Sequence, residues 1–131
     1  MERAGFLNWL LAFGLTQLIE MPIYRHGLAA KSWEAFGASA LTHPIVCFII
    51  PGLWRALYAA GIQWDGRLRL SPGMYLFFYG VLAEGFAVLG EVLWFWALGK
   101  KNLWRWALIA NFASAATGLI LHFCLGWPSF Q

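Results

Sequence analysis

Three carboxyls and an imidazole, those of Glu20, Glu84, Glu91 and His43, stand inside long apolar stretches of this chain. Groups of this kind carry protons, coordinate cations or pair with positively charged ligands. Where water is absent each is costly unless it faces protein, another polar group or a cavity. Their polar neighbours recur at helical spacing. Gln17, Glu20 and Tyr24 follow i, i+3, i+7, while Ser39, Thr42 and His43 share one face, with Pro44 next. Glu84 and Glu91 are seven apart and stack two turns apart on one stripe. Asn111, Ser114, Gly118 and His122 follow i, i+3, i+7, i+11. Four polar stripes on four segments are expected to face one another across a shared interior.

A rise of about 1.5 Å per residue converts position into depth. Measured from the side of the first and third connectors, Glu20 lies about 6 Å in, Glu91 about 10 Å, and His43 and Asn111 about 12 Å. Ser114 and Glu84 are deeper, at roughly 17 and 21 Å. His122 belongs near the opposite surface. The depths predict a polar vestibule opening towards those two connectors, with Glu84 at its floor. Its expected ion, proton or ligand site is Glu20, His43, Glu84, Glu91, Asn111 and Ser114. Burial and like charge both oppose ionisation, so at least one of Glu84 and Glu91 is expected to be protonated at neutral pH. For a metal, His43, Glu91 and Glu20 are the ligands to consider, with donors that suit zinc, manganese or iron. Thr42, Gly118 and Gln17 read as packing groups between helices, a role that Asn111 and Ser114 also fit. Two plainer roles stand beside these. Glu20 can reach the headgroups beside Arg25, and His43 can bond a carbonyl freed by Pro44.

The elements that must position these groups follow from composition. Of 131 residues, 61% are hydrophobic and 11% are charged, against about 25% charged in soluble domains. The apolar runs cover 5–24, 35–58, 73–98 and 103–127. About 20 apolar residues in a helix cross a hydrocarbon core, and runs of this length are too long for barrel strands. The expectation is an all-α integral membrane protein, a four-transmembrane-helix bundle with a polar interior, in one domain covering 1–131. The first run is too long for a signal-peptide core, carries Glu20 near its end and lacks a small-x-small cleavage site, so it reads as an uncleaved helix. Pro44 and Pro51 predict a kink in the second span. Turn signals mark His26-Gly27, Ser71-Pro72 and the Gly99-Lys100-Lys101-Asn102 connector. In the longest connector, 62–70 alternates around Asp65-Gly66, as a hairpin or an interfacial segment would, with Arg67 and Arg69 available to anionic headgroups. The nine tryptophans fall in two belts and read as interfacial anchors.

Several functions are excluded. The charges form no basic face for nucleic acid. Cys47 and Cys124 lie in apolar runs without CxxC spacing and read as buried thiols. No HExxH, phosphate loop, nucleophile turn, haem or iron–sulfur pattern occurs, so no motif names a cofactor. Arg3, Arg55, Arg67 and Arg69 on one side balance Arg25, Lys31, Lys100, Lys101 and Arg105 on the other, which gives no orientation bias. The leading expectation is proton- or cation-linked transport. Four helices are too few to enclose a wide path, so this implies a homo-oligomer in the lipid bilayer, of a bacterial-type inner (plasma) membrane. Two alternatives use the same residues: an accessory or structural subunit bound to a membrane-protein partner, and a membrane-embedded enzyme or metal-binding protein in which Glu91 and His43 form an acid–base pair.

Overall fold

The structure is a computed structural model and describes residues 3–57, 59 and 72–126. The expected hairpin or interfacial segment at 62–70, with Arg67 and Arg69, lies outside the described residues, as do Trp64 and Trp127. Helices α1 (Arg3–Gly27), α2 (Ser32–Pro44), α3 (Ile50–Leu57), α4 (Pro72–Ala97) and α5 (Leu103–Leu125) make up the chain, with a π-helical turn at Ile45–Ile49 joining α2 to α3. Four segments are long and apolar enough to cross a membrane: Phe6–Gly27, Ser32–Leu57, Phe77–Ala97 and Leu103–Leu125. This is an all-α membrane bundle of four spans. The first two spans reach further into the first connector than hydropathy alone suggests, because the helices continue past the last apolar residue into Arg25, His26 and Ser32.

The kink expected at the prolines takes a defined form. Proline has no N–H, and its ring collides with the carbonyl four residues back. Pro44 and Pro51 bracket the turn, and within it the Ile50 N–H bonds the Ile45 carbonyl, five residues back. The wider turn absorbs the misfit without ending the span.

Helix α1 packs on α2 and α5, and α4 packs on α2 and α5, so the spans form a ring in the order α1, α2, α4, α5. Both short connectors close on one side. At the second, Gly99 adopts φ 72°, the Lys100 N–H bonds the Phe95 carbonyl and the Gly99 N–H bonds that of Trp96. This pair of bonds satisfies carbonyls at the end of α4 and turns the chain back. Lys100 then ties the two connectors together: its Nζ lies 2.9 Å from Glu34 and donates to the Ala29 carbonyl at 3.2 Å. Glu34 also accepts from the Lys31 N–H at the start of α2.

Packing is uneven along the bundle. At the connector end, buried Tyr24, Leu28, Ala30, Ala35, Ala38, Phe95 and Ala110 form a core, with Trp94, Leu98, Leu103 and Trp106 packed against it. Trp94 and Trp106 are half-buried and pack inward, unlike the anchors expected from sequence. Trp94 donates its indole N–H to the Glu34 carbonyl at 2.9 Å and lies on Gly37, and the Trp106 ring occupies the space a side chain at Gly27 would need. Towards the other end the glycines have no such neighbours. A Cβ added at Gly14, Gly80, Gly85 or Gly118 would meet nothing within 4 Å.

This contrast yields a stability prediction. A Cβ at Gly37 would stand 2.6 Å from Trp94 Cζ2, and the hydrogen-bonded indole cannot withdraw cheaply. Gly37→Ala is expected to lower stability by about 1–3 kcal/mol. Gly85→Ala, in open space, is expected to be neutral or stabilising by up to about 1 kcal/mol through helix propensity. Thermal unfolding of both variants in detergent checks this, and equal melting temperatures would contradict it.

Candidate functional site

Each of the four spans contributes to one polar cluster just beneath the connector core. Glu20 on α1 is 2% exposed and Glu91 on α4 is 1% exposed. Glu20 accepts from the Ser39 hydroxyl on α2 at 2.5 Å and from the Ser114 hydroxyl on α5 at 2.6 Å. Glu91 accepts from the Tyr24 hydroxyl, from Asn111 Nδ2 at 2.5 Å and from the Thr42 hydroxyl at 3.4 Å. Asn111 Nδ2 also reaches the Ala107 carbonyl at 3.0 Å and the Tyr24 oxygen at 3.4 Å. The helical spacings account for this convergence. Residues 20 and 24, 39 and 42, and 111 and 114 are three or four apart and therefore share a face on their own helices. Diagonally opposed helices approach each other little in backbone terms, and Tyr24 links α1 to α4 across the ring through its hydrogen bond to Glu91 and its packing on Phe95.

The donors are all neutral. Among the described residues no ion pair reaches Glu20 or Glu91, and the pair formed by Lys100 is with Glu34. The two buried carboxyls line one cavity, and α5 holds both, Glu91 through Asn111 and Glu20 through Ser114. Burying two carboxyls without a cationic partner is costly to the fold unless a proton or a cation offsets their charge. The arrangement suits a proton held between the two acids, or a cation that replaces it.

A cavity of about 130 Å³ adjoins the pair, room enough for several waters. Its walls include Thr16, Glu20, Ser39, Thr42, His43, Glu84, Glu91, Asn111 and Ser114. All six residues expected at the site thus line one cavity, although two are not part of the hydrogen-bonded cluster. His43 was expected level with the carboxyls. Its Nδ1 instead lies 3.6 Å from Cys47 Sγ, and its ring packs on Phe13 at 5.3 Å and near Trp9 at 6.1 Å. Ser39, one turn nearer the connectors, and Thr42, the residue before His43, take the place expected for it. Glu84 lies on the Glu91 stripe but is exposed and has no hydrogen bond among the described residues.

The vestibule opens the other way from that expected. Tyr24 is 0% exposed and Phe95 is 1% exposed, with ring centroids 4.7 Å apart. They close the site towards the first and third connectors, while the cavity continues towards Glu84. Rise along a helix gives depth but not which end large side chains fill. Tyr24 lies on the Glu20 stripe, but only its packing on Phe95 marks it as a plug.

The packing residues divide. Gln17 Nε2 reaches the Phe36 carbonyl at 3.5 Å, an interhelical bond, and Thr42 belongs to the polar cluster itself. Gly118 brings no helix close, since a Cβ there would meet nothing within 4 Å. His122 is exposed beside Phe123. No three His, Cys, Asp or Glu side chains converge as a metal shell among the described residues. His43 in particular is turned to Cys47 and not to the carboxyls. Cys47 is half-buried and Cys124 is exposed on its helix, where a buried thiol was expected.

Comparison with known protein families, curated proteins and solved structures finds no match. The functional reading therefore rests on the chemistry of the cluster.

Proposed function

We propose that this protein carries out proton- or cation-linked transport and that Glu20 and Glu91 form the site that takes up and releases the cation. One observation carries the reading: two almost fully buried carboxyls line one cavity, held by the neutral donors Tyr24, Ser39, Thr42, Asn111 and Ser114, with no basic partner among the described residues. A pair kept for structure alone would be better served by an apolar substitute or by a matching cation. A pair that must gain and lose a positive charge needs what is present, namely donors that hold the carboxylate form and an adjoining cavity. An intramembrane acid facing a cavity is a usual part of ion pathways. A single ring of four helices, closed at one end by Tyr24 and Phe95, encloses no continuous path, which supports a homo-oligomer as the working unit.

The test uses purified protein in vesicles loaded with a pH-sensitive dye. With an inside-negative potassium diffusion potential, proton entry is expected to exceed that of empty vesicles several-fold. The Glu20→Gln, Glu91→Gln double variant, monodisperse in detergent, is expected to fall to the empty-vesicle rate. If wild type and double variant conduct alike, the carboxyl pair is not the site. If neither exceeds empty vesicles and the wild type copurifies with another membrane protein in fixed ratio, the subunit reading replaces this one.

A further inference from the structure

We propose that the cavity at the start of α5 binds the phosphate of an anionic phospholipid, with Lys101 and Arg105 as its cations. The inference concerns the connector end of the bundle and is independent of the carboxyl pair.

Charge comes first. Five basic residues stand at this end, Arg25, Lys31, Lys100, Lys101 and Arg105, against one carboxylate outside the spans, Glu34, among the described residues. Glu34 is taken by Lys100 at 2.9 Å. Lys101 and Arg105 are exposed and pair with no acid among the described residues. Both line an open cavity of about 630 Å³, together with Lys100, Asn102, Trp104 and Trp106. Arg105 is steered there by its neighbour, since its guanidinium carbon lies 5.6 Å from the centre of the Trp106 ring. A cation over an indole is held in place without losing its charge. The N-cap Asn102 makes no side-chain cap bond, so the positive end of α5 adds to the same field. No acidic side chain lines this cavity.

The level of the cavity says which anion it meets. Trp33, Trp96 and Trp104 all stand at the connector end and are 56%, 70% and 57% exposed. Exposed indoles of a membrane protein sit among the lipid headgroups, and Trp104 is itself a wall of the cavity. Below it the same face of α5 is apolar and open: Leu108 and Phe112 follow Trp104 at steps of four and are 55% and 79% exposed. A phosphate held by Lys101 and Arg105 would therefore stand directly above a surface on which acyl chains can lie. Basic pockets at this depth are suited to anionic headgroups. A soluble phosphate shares the charge but has no use for the apolar face beneath.

The probe is phosphatidylglycerol, compared with phosphatidylcholine of the same chains, added to the purified protein in neutral detergent and counted by native mass spectrometry. One phosphatidylglycerol per chain is expected at concentrations where phosphatidylcholine leaves the protein bare. The Lys101→Gln, Arg105→Gln double variant, eluting as wild type in gel filtration, is expected to weaken binding about tenfold or more. Lys101→Gln alone, in the connector and clear of helix packing, should show a smaller loss of the same kind. The Arg25→Gln, Lys31→Gln double variant removes equal charge from the same end but outside the cavity, and should bind like wild type. Excess inorganic phosphate at equal ionic strength should leave the lipid in place. Equal binding of phosphatidylcholine overturns the proposal. So does equal weakening in the two double variants, which would mean a diffuse surface field and no site. Displacement of the lipid by inorganic phosphate overturns it in favour of a soluble phosphate ligand.

Discussion

Glu91→Ala is expected to cost the fold about 3–5 kcal/mol, whereas Glu91→Gln should cost about 1 kcal/mol and still remove the proposed cation site. Glu91 is the acceptor for Tyr24, Asn111 and Thr42 from three other helices. Thr42 and Asn111 keep a second acceptor each, the carbonyls of Ala38 and Ala107. The buried Tyr24 hydroxyl has no other acceptor among its bonds. Alanine therefore leaves one buried donor unsatisfied and a void where the carboxyl stood, and of the α1–α4 contacts across the ring the hydrogen bond is lost while the Tyr24–Phe95 packing remains. Glutamine has nearly the same volume; with its oxygen in the place of Oε2 it remains the acceptor for both Tyr24 and Asn111, and its NH2 group faces the Thr42 hydroxyl, which can accept. Glu84→Ala, which removes an exposed group without hydrogen bonds, is the control and should change stability by less than about 0.5 kcal/mol. Thermal midpoints in one detergent, read with the monodisperse fraction after gel filtration, decide the order. An alanine variant as stable as wild type would mean that the polar cluster contributes nothing to holding the ring together.

The same cluster shows what was readable in the amino-acid order and what was not. Glu20, Glu91, Asn111 and Ser114 were within reach of periodicity and rise alone, because an α-helix fixes both the face and the depth of a residue. Their convergence needed only the assumption that polar stripes turn towards one another. His43 was misplaced within its own face. Residues 39, 42 and 43 lie within one turn, and periodicity cannot say which of them points at a neighbour's carboxyl. The two hydroxyls fit against the acids, and the larger imidazole lies instead among Trp9 and Phe13. The direction of the opening was also hidden. It depends on Trp94 lying over Gly37 and Trp106 over Gly27, contacts between residues far apart in the chain that leave no local mark. The lower half of the bundle has as many glycines, but there they meet nothing. A glycine under a tryptophan and a glycine in open space look alike in a sequence.

Tyr24→Ala should produce the second large effect, and comparison with Tyr24→Phe separates its two causes. Tyr24 is the largest fully buried side chain in the described residues. It packs on Phe95 and donates to Glu91, so it is both plug and hydrogen-bond donor. Truncation to alanine empties a ring-sized volume in the connector core and is expected to cost about 3–5 kcal/mol. Phenylalanine keeps the ring and removes only the hydroxyl, with an expected cost of about 1 kcal/mol. Access to the site should follow the ring and not the hydroxyl. Ala115 lines the cavity without bonding either carboxyl. In a background carrying Cys47→Ala and Cys124→Ala, the thiol of Ala115→Cys should react slowly with a charged, membrane-impermeant thiosulfonate applied from the connector side. Tyr24→Phe should leave that rate unchanged, and Tyr24→Ala should raise it many-fold from that side alone. If both variants raise it equally, the hydroxyl and its bond to Glu91 keep the passage shut, and closure is then coupled to the charge state of the pair: a cation that takes Glu91 from Tyr24 would loosen the plug as it binds. If neither raises it, the seal lies higher, in the layer formed by Trp94, Leu98, Leu103 and Trp106, and Tyr24 serves only to hold Glu91 in place.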